Sequence, residues 1–214
     1  MNEIIVRSSA RIHSALINES GFLGRIDGSI GFSIDSPFWE ISIRRDGAMS
    51  KINSNHLDEE LISAFESTKK SIQEKYKLPN FSYKISGGIE SHIGLGSKTA
   101  LLMGLAKALD GLFNLKMSPF EMSVLTGRGG TSGIGYWASQ VGGFLWDAGR
   151  QYPIEKSTFS PSSTSKLKPP KLIASINLDE YFICHFRFSD KGLFGEKERV
   201  LFNRFCPVSH EDTK

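Results

Sequence analysis

The sequence predicts an α+β domain, because segments with the period of strands alternate with segments that have the period of helices. Residues 3–17 and 38–44 carry apolar side chains at about every second position, as half-buried strands do. Residues 58–76 and 99–113 instead carry them every three to four positions, which is typical of helices. A glycine-rich loop directly precedes the second of these helices, so a strand, a loop and a helix follow one another.

The first half of the chain is predicted to fold in the order strand, strand, helix, strand and helix. The helix at 58–76 is amphipathic and ends where Leu-Pro-Asn at 78–80 interrupts the pattern. A strand at 81–85 leads into the glycine-rich loop. The helix at 99–113 that follows is apolar on most sides, which indicates a buried position.

A short helix is predicted next, because Ser-Pro-Phe-Glu at 118–121 forms a capping box with proline at the first helical position. It is expected to run to residue 125. A second glycine cluster follows it, since eight glycines fall between 127 and 149. Within this region, residues 143–147 are predicted to form a strand.

The chain divides into three predicted parts. Residues 1–156 are expected to form the first domain, and the serine- and proline-rich residues 157–170 a linker or loop. Residues 171–214 supply closing strands and the beginning of a second domain that this chain does not complete. In that last part the sequence predicts two strands and a helix, at residues 172–176, 181–188 and 195–205.

The composition excludes several classes of protein. Of 214 residues, 39% are hydrophobic and 23% charged, as in ordinary globular domains. The net charge of +3 argues against a nucleic-acid partner, whose binding depends on neutralising many phosphates. No segment approaches the roughly 18 apolar residues that cross a bilayer, and no leader pattern is present, so we expect no membrane partner and a cytoplasmic location. Cys184 and Cys206 are too few for a disulfide framework.

The glycine-rich loop at 90–100, Glu-Ser-His-Ile-Gly-Leu-Gly-Ser-Lys-Thr-Ala, is the strongest candidate site. A glycine loop that enters a helix presents free backbone N–H groups and the positive end of the helix dipole to an anion. The alternative is an ordinary glycine-rich turn with Ser97 as the N-cap. A Walker A loop is excluded because His92 and Ser97 stand where it has glycines, and a dinucleotide fingerprint because Thr99 replaces its third glycine.

Five segments in this order resemble the GHMP small-molecule kinase superfamily, in particular the branch that makes β-ribofuranosylaminobenzene 5′-phosphate for methanopterin. The resemblance covers nearly the whole chain and implies a GHMP-type N-terminal domain with a left-handed βαβ unit. The segments are residues 10–13 (Ala-Arg-Ile-His), 24–28 (Gly-Arg-Ile-Asp-Gly), 91–97 (Ser-His-Ile-Gly-Leu-Gly-Ser), 127–135 (Gly-Arg-Gly-Gly-Thr-Ser-Gly-Ile-Gly) and 142–144 (Gly-Gly-Phe).

The resemblance implies transfer of phosphoribosyl from 5-phosphoribosyl 1-diphosphate to 4-aminobenzoate or 4-hydroxybenzoate, with loss of diphosphate and carbon dioxide. It also implies Mg²⁺ and a homodimer. Related kinases have Ser-Gly-Ile-Asp where this chain has Gly135 after Ser132-Gly133-Ile134, so a kinase would lack its base. A ring carbon that attacks ribose C1 needs no such base. Two alternatives stay open: an ATP-dependent kinase of a small alcohol, and a non-catalytic binder of a phosphate ligand.

The resemblance and the residue chemistry nominate three catalytic residues: Arg128, Asp27 and His13. Arg128 could instead be a surface charge, His13 a core histidine, and Asp27 a partner of Arg25; metal ligands are not assigned. The phosphate- or substrate-binding candidates are Arg11, Arg25, His92, Gly94, Leu95, Gly96, Ser97, Lys98, Thr99, Gly130, Thr131 and Ser132. Lys98 stands where the family has a small residue, so it could equally be solvated.

Overall fold

The two longest strands of the described sheet, β1 (Glu3–Asn18) and β2 (Arg25–Arg44), pair with each other in antiparallel orientation. The computed structural model describes residues 1–47, 50–130, 132–158, 167–186, 196–209 and 211–213. The other strands are β3 (Lys51–Asn53), β4 (Ser82–Gly87), β5 (Phe144–Asp147), β6 (Arg150–Gln151) and β7 (Leu172–Ile176). The strands predicted near 3–17, 38–44, 81–85, 143–147 and 172–176 are therefore confirmed.

Strand β2 connects the two halves of the sheet, whose order is β3-β4-β2-β5-β7 with β1 and β6 also paired to β2. Its C-terminal half pairs with β4 and its N-terminal half with β5, both antiparallel. β3 and β4 are parallel and are joined by a helix, so this part of the sheet is a βαβ unit. β7 extends the sheet beyond β5.

The N-terminal half of β2 was not predicted, because glycine and serine interrupt its apolar pattern. Gly31 shows why glycine is needed there. A Cβ at Gly31 would lie 2.4 Å from the Ile12 carbonyl oxygen and 2.5 Å from Ile134 Cγ2. Close packing of β2 against β1 and against the element that contains Ile134 therefore leaves no room for a side chain.

The helices are α1 (Glu59–Tyr76), α2 (Ser97–Phe113), α3 (Pro119–Thr126), α4 (Ile134–Gln140) and α5 (Glu196–Phe205), followed by a 3₁₀ turn at Glu211–Thr213. α1, α2 and α5 confirm predicted helices. α3 begins with the predicted capping box, in which Ser118 and Glu121 bond each other's backbone N–H groups. α4 was not predicted, because it lies inside the second glycine cluster.

The core lies between the sheet and the helices α1 and α2. Trp39, Ile41 and Ile43 of β2 are fully buried and pack with the buried side chains of both helices. Burial of such side chains contributes about 1.5 to 3 kcal/mol each. The core includes Leu61, Phe65 and Ile72 from α1 and Leu101, Leu105 and Leu109 from α2.

The strand predicted at 181–188 is wrong for its described part, because residues 181–186 form neither strand nor helix. Tyr181, Phe182 and Phe186 are 70%, 99% and 80% exposed. An alternating apolar pattern forms a strand only where a neighbour pairs with it and one face is covered, and this segment has neither among the described residues. Residues 187–188 lie outside the described ranges, as do residues 159–166 of the predicted linker. The predicted division of the chain into three parts stays a prediction.

None of the helices in the described ranges combines the length and the apolar character needed to cross a bilayer.

Candidate functional site

The glycine-rich loop connects β4 to the N-terminus of α2. Gly96 is the N-cap of α2 with φ 74°, and Gly94 (φ 84°) and His92 (φ 64°) also have left-handed backbone conformations. No side chain of the described residues caps α2. Its first N–H groups are therefore open to an acceptor from outside the helix, and the helix dipole favours a negatively charged one.

Arg11 of β1 holds this loop in place. Its backbone N–H donates to the Leu95 carbonyl over 3.0 Å, and its Nη1 donates to the Gly94 carbonyl over 2.6 Å. A Cβ on Gly96 would lie only 3.1 Å from Arg11 Nε. The structure therefore brings the predicted binding residues Arg11, Gly94 and Gly96 together, and the side chain of buried Leu95 anchors the loop in the core.

Ser97 faces inward rather than toward the mouth of the loop, whereas Thr99 is half-buried. The Ser97 hydroxyl donates to the Ile89 carbonyl over 2.6 Å, and Trp39 Nε1 donates to the Ser97 carbonyl over 3.2 Å. Thr99 Cγ2 lies 3.0 Å from the position that a Cβ on Gly135 would take. Ser97 thus stabilises the loop, while Thr99 marks the contact between α2 and α4.

Basic side chains gather at the mouth of the loop around one carboxylate, Glu60 of α1. Lys98 Nζ is 2.9 Å from Glu60 Oε1, and His92 Nε2 is 3.4 Å from Glu60 Oε2. The hydrogen bond from Lys98 is the largest cause that lowers the pKa of Glu60, and the charge of His92 adds to it. The charge of Glu60 also opposes the lowering of the Arg128 pKa, so three basic residues lie near this acid, and Asp58 is a second carboxylate close to it.

Arg128 follows α3 and has a fixed backbone and an unpaired side-chain nitrogen. Its N–H donates to the Ser123 carbonyl over 2.9 Å, and its carbonyl accepts from the Ser123 hydroxyl. Nε is buried without a hydrogen-bond partner in the described ranges. Burial lowers the pKa of Arg128, which nevertheless keeps its charge at neutral pH. A half-buried cation with an unpaired nitrogen is suited to an anionic ligand.

His13 and Ser132 lie next to each other on the same side of the sheet. His13 Nε2 is 3.5 Å from Ser132 Oγ. Burial, followed by the charge of Arg11, lowers the pKa of His13 to about 4, so the ring is neutral at pH 7. The neighbouring Gly130 carbonyl accepts a hydrogen bond from buried Arg150. Thr131 lies outside the described residues.

The structure places Asp27 and Arg25 apart from the loop. On the β1–β2 ladder Asp27 pairs with Asn18, whereas Ser33 pairs with Arg11. Asp27 lies six positions before Ser33, which corresponds to about 20 Å along a strand. The interpretation that Asp27 pairs with Arg25 is wrong, because both oxygens of Asp27 are 3.0 Å from Lys156 Nζ. Arg25 instead donates to the carbonyls of residues 148 and 149.

Several site residues could not be found from the sequence. Lys156 lies far along the chain from Asp27, and no motif marks it. Glu60 lies in the first turn of α1, where an acidic residue stabilises any helix, so its sequence position does not indicate a site. Asp147 and Ser29 lie on β5 and β2 and bond each other, and this contact depends on how the two strands pair in the sheet. Only Asp147, directly before Ala148-Gly149, carried a local signal, that of a turn.

Near Asp27, Glu19 is predicted to make stability depend on pH. Burial, followed by the charge of Asp27, raises the pKa of Glu19 from 4.5 to about 7. Between these values the folded state holds a proton that the unfolded state has lost, so stability falls as pH rises through this range. Glu19→Gln cannot ionise, so we expect a higher Tm than that of the unmutated protein at pH 8 and a similar Tm at pH 4.

Thermal unfolding at both pH values measures this effect. Glu180→Gln is the matched control, because Glu180 is exposed; it should change Tm by the same small amount at pH 4 and pH 8. An unchanged Tm of Glu19→Gln at pH 8 would show that Glu19 ionises normally in the folded state.

A metal ion would need oxygen atoms from a ligand as well as from the protein. In the part of the chain that the structure describes, no group of three His, Cys, Asp or Glu side chains could hold a metal. The carboxylates placed at the loop are Glu60 and, two residues earlier, Asp58, the N-cap of α1. Mg²⁺ is commonly held by one or two carboxylates plus phosphate oxygens and water, so these residues fit a diphosphate-bound ion.

Comparison with known proteins gives one family match and close relatives. Residues 61–143 match the family model of the GHMP kinases N terminal domain. The β-ribofuranosylphenol 5′-phosphate synthase of Methanocaldococcus jannaschii is 34% identical over 222 residues, which cover 96% of this chain and 66% of that protein. The synthase of the same name from Archaeoglobus fulgidus is 32% identical over 98% of this chain and 65% of its own length. This chain therefore spans just under two thirds of these relatives.

Solved structures of the same fold are more distant in sequence. Streptococcus pneumoniae phosphomevalonate kinase matches with a TM-score of 0.52 and 20% identity, over 71% of this chain and 49% of its own. Methanococcus jannaschii mevalonate kinase matches with a TM-score of 0.50 and 19% identity, over 67% and 53% of the two chains. At such identities the likeness concerns the fold, and it confirms the predicted GHMP-type domain.

Proposed function

We propose that this chain, whose residues 61–143 match the GHMP kinases N terminal domain, transfers phosphoribosyl from 5-phosphoribosyl 1-diphosphate to an aryl acid, with loss of diphosphate and carbon dioxide. Similarity to the synthases over nearly the whole chain supports this reaction. The names of these synthases contain a phenol product, which favours 4-hydroxybenzoate over 4-aminobenzoate as the acceptor. Methanopterin biosynthesis, the homodimer and the cytoplasmic location stay predictions.

The observation that carries the proposal is the position of Gly135. Kinases of the superfamily have their base there, and in this structure the position faces Thr99 and Arg11 at the glycine loop. A Cβ on Gly135 would lie 3.7 Å from Arg11 Nε. The site therefore keeps the phosphate-binding elements but has no carboxylate at this position to deprotonate an attacking hydroxyl, as expected where the nucleophile is a ring carbon.

The charges at the loop suit a departing diphosphate. The N–H groups at the start of α2 and the Arg128 guanidinium would bind the phosphate oxygens, with Lys98 and His92 at the mouth. Such fixed donors and cations stabilise the negative charge that develops on a leaving group. Mg²⁺, held by Glu60 or Asp58 together with the diphosphate, would neutralise part of that charge.

The reaction is tested with carboxyl-labelled 4-hydroxybenzoate, 5-phosphoribosyl 1-diphosphate and Mg²⁺. We expect labelled carbon dioxide to be released only when all three are present. Phosphorylation of a small alcohol by ATP would instead support the kinase alternative. Binding of 5-phosphoribosyl 1-diphosphate without release of carbon dioxide would support a non-catalytic binder.

Arg128→Ala is predicted to weaken binding of 5-phosphoribosyl 1-diphosphate by roughly ten- to a hundredfold, because a charge-assisted hydrogen bond contributes about 1.5 to 3 kcal/mol to the binding free energy. Titration calorimetry measures the affinity, and Arg128→Lys should restore part of it. Arg7→Ala is the control, because Arg7 is exposed and pairs with Glu40. A lower Tm with unchanged affinity in Arg128→Ala would assign Arg128 to structure.

A further inference from the structure

A buried carboxylate, that of Asp147 at the end of β5, begins a chain of hydrogen-bond contacts that passes through two serine hydroxyls to His13. Asp147 has no exposed surface. Its Oδ2 accepts from the Ser29 hydroxyl over 2.5 Å and from the Gly133 N–H over 2.9 Å, and its Oδ1 accepts from the Gly149 N–H over 3.0 Å. Although burial raises the pKa of Asp147, these hydrogen bonds oppose that shift.

Which group donates in each of these contacts follows from the single hydroxyl proton that each serine carries. Ser29 has one hydroxyl proton and gives it to Asp147, so the 2.9 Å contact between the two serine hydroxyls is donated by Ser132. Ser132 Oγ also accepts from the Ile134 N–H over 3.2 Å. With its proton given to Ser29, the Ser132 hydroxyl accepts in its contact with His13.

A hydrogen bond between His13 Nε2 and Ser132 Oγ, which are 3.5 Å apart, then requires the His13 proton on Nε2. Because the ring is neutral at pH 7, with a pKa of about 4, Nδ1 keeps a lone pair. The ring is half-buried and close enough to Arg11 to be affected by its charge. Arg11 binds the Gly94 carbonyl, and His13 lies two residues further along β1 from Arg11.

We propose that Asp147, through Ser29 and Ser132, fixes His13 in the Nε2-protonated tautomer, and that Nδ1 of His13 accepts the hydroxyl proton of a phenolic acceptor. Asp147 is then a positioning residue and His13 the catalytic one. The role of His13 rests on the proposed function, whereas the tautomer rests on the hydrogen bonds alone.

As the ring carbon that bears the carboxylate bonds to ribose C1, the bond from C1 to diphosphate breaks, and the diphosphate leaves with its electron pair. The para hydroxyl becomes strongly acidic and gives its proton to His13 Nδ1, which leaves a cyclohexadienone. The carbon–carboxylate bond then breaks, its electron pair restores the aromatic ring, and the carbonyl oxygen takes the proton back. His13 ends the cycle neutral.

Nitrogen-15 NMR of the histidine rings tests the tautomer in this chain without any substrate. We expect the His13 signals, identified by their loss in His13→Gln, to show a protonated Nε2 and an unprotonated Nδ1. Ser132→Ala, which removes the acceptor, should shift the population toward the other tautomer. A proton on Nδ1 in the unmutated protein, or no change in Ser132→Ala, would overturn the assignment.

Kinetics tests the role of the lone pair. His13→Gln should lower kcat with 4-hydroxybenzoate by about a hundredfold or more, the usual worth of a general base. Its affinity for 5-phosphoribosyl 1-diphosphate should stay unchanged by calorimetry. Wild-type kcat in His13→Gln would overturn the base role. Absence of turnover in the unmutated protein would overturn the proposed function and the base role together, while the NMR result would still decide the tautomer.

Discussion

Gly96→Val is expected to abolish binding of 5-phosphoribosyl 1-diphosphate while the domain stays folded. Gly96 has φ 74°, a conformation that β-branched residues rarely adopt, and its Cβ would lie 3.1 Å from Arg11 Nε. The added side chain would stand where the backbone must meet a phosphate, and it would displace the arginine that holds the loop. Titration calorimetry measures the loss, and circular dichroism reports whether the fold remains.

The control for this substitution is Gly47→Val. Gly47 has a similar φ of 61°, but a Cβ there would have nothing within 4 Å among the described residues. It lies in an exposed turn after β2, so its backbone strain is comparable while its distance from the loop preserves binding. Normal binding in Gly96→Val would show that the loop is not the phosphate site.

Gly135→Asp is expected to weaken binding of 5-phosphoribosyl 1-diphosphate and to produce no ATP turnover. The new carboxylate would face Thr99 and lie within reach of Arg11 Nε, which is 3.7 Å from the Cβ position. It would pair with Arg11 and add negative charge beside the diphosphate, and both effects oppose binding. Calorimetry and an ATP hydrolysis assay measure the two quantities.

The kinase alternative predicts the opposite sign for the same substitution. If the site phosphorylated an alcohol, a restored base would raise ATP turnover by about a hundred- to ten-thousandfold. Gly135→Asn is the matched control, because it has the size of aspartate without the charge. Its affinity should lie between those of Gly135→Asp and the unmutated protein. Equal losses in both variants would assign the effect to the close contact with Thr99.

The glycine loop could be predicted because its signal is local. Gly94 and Gly96 stand directly before an apolar helix, and the backbone geometry they permit depends on neighbours in sequence. The capping box of α3 was predictable for the same reason. The motif at 127–135 was recognised, but α4 within it was not, since glycines lower helix propensity and only tertiary packing of Ile134 and Tyr136, both buried, compensates.

The partners of the charged residues could not be predicted, because they depend on distant contacts. Asp27 and Arg25 are close in sequence and share a strand face, yet Asp27 binds Lys156 and Arg25 binds backbone carbonyls. A buried carboxylate needs a buried partner, and Lys156, whose side chain is 4% exposed, meets that need. Lys156 and Asp27 are 129 residues apart, so no sequence spacing indicates that they pair.

The central claim is that the glycine loop binds a phosphoribosyl diphosphate rather than a nucleoside triphosphate. Parallel calorimetric titrations with 5-phosphoribosyl 1-diphosphate and with ATP, each with Mg²⁺, test it most directly. We predict saturable binding of 5-phosphoribosyl 1-diphosphate that Arg128→Ala weakens, and no saturable binding of ATP. Saturable binding of ATP that Gly96→Val removes, with none of 5-phosphoribosyl 1-diphosphate, would contradict the claim.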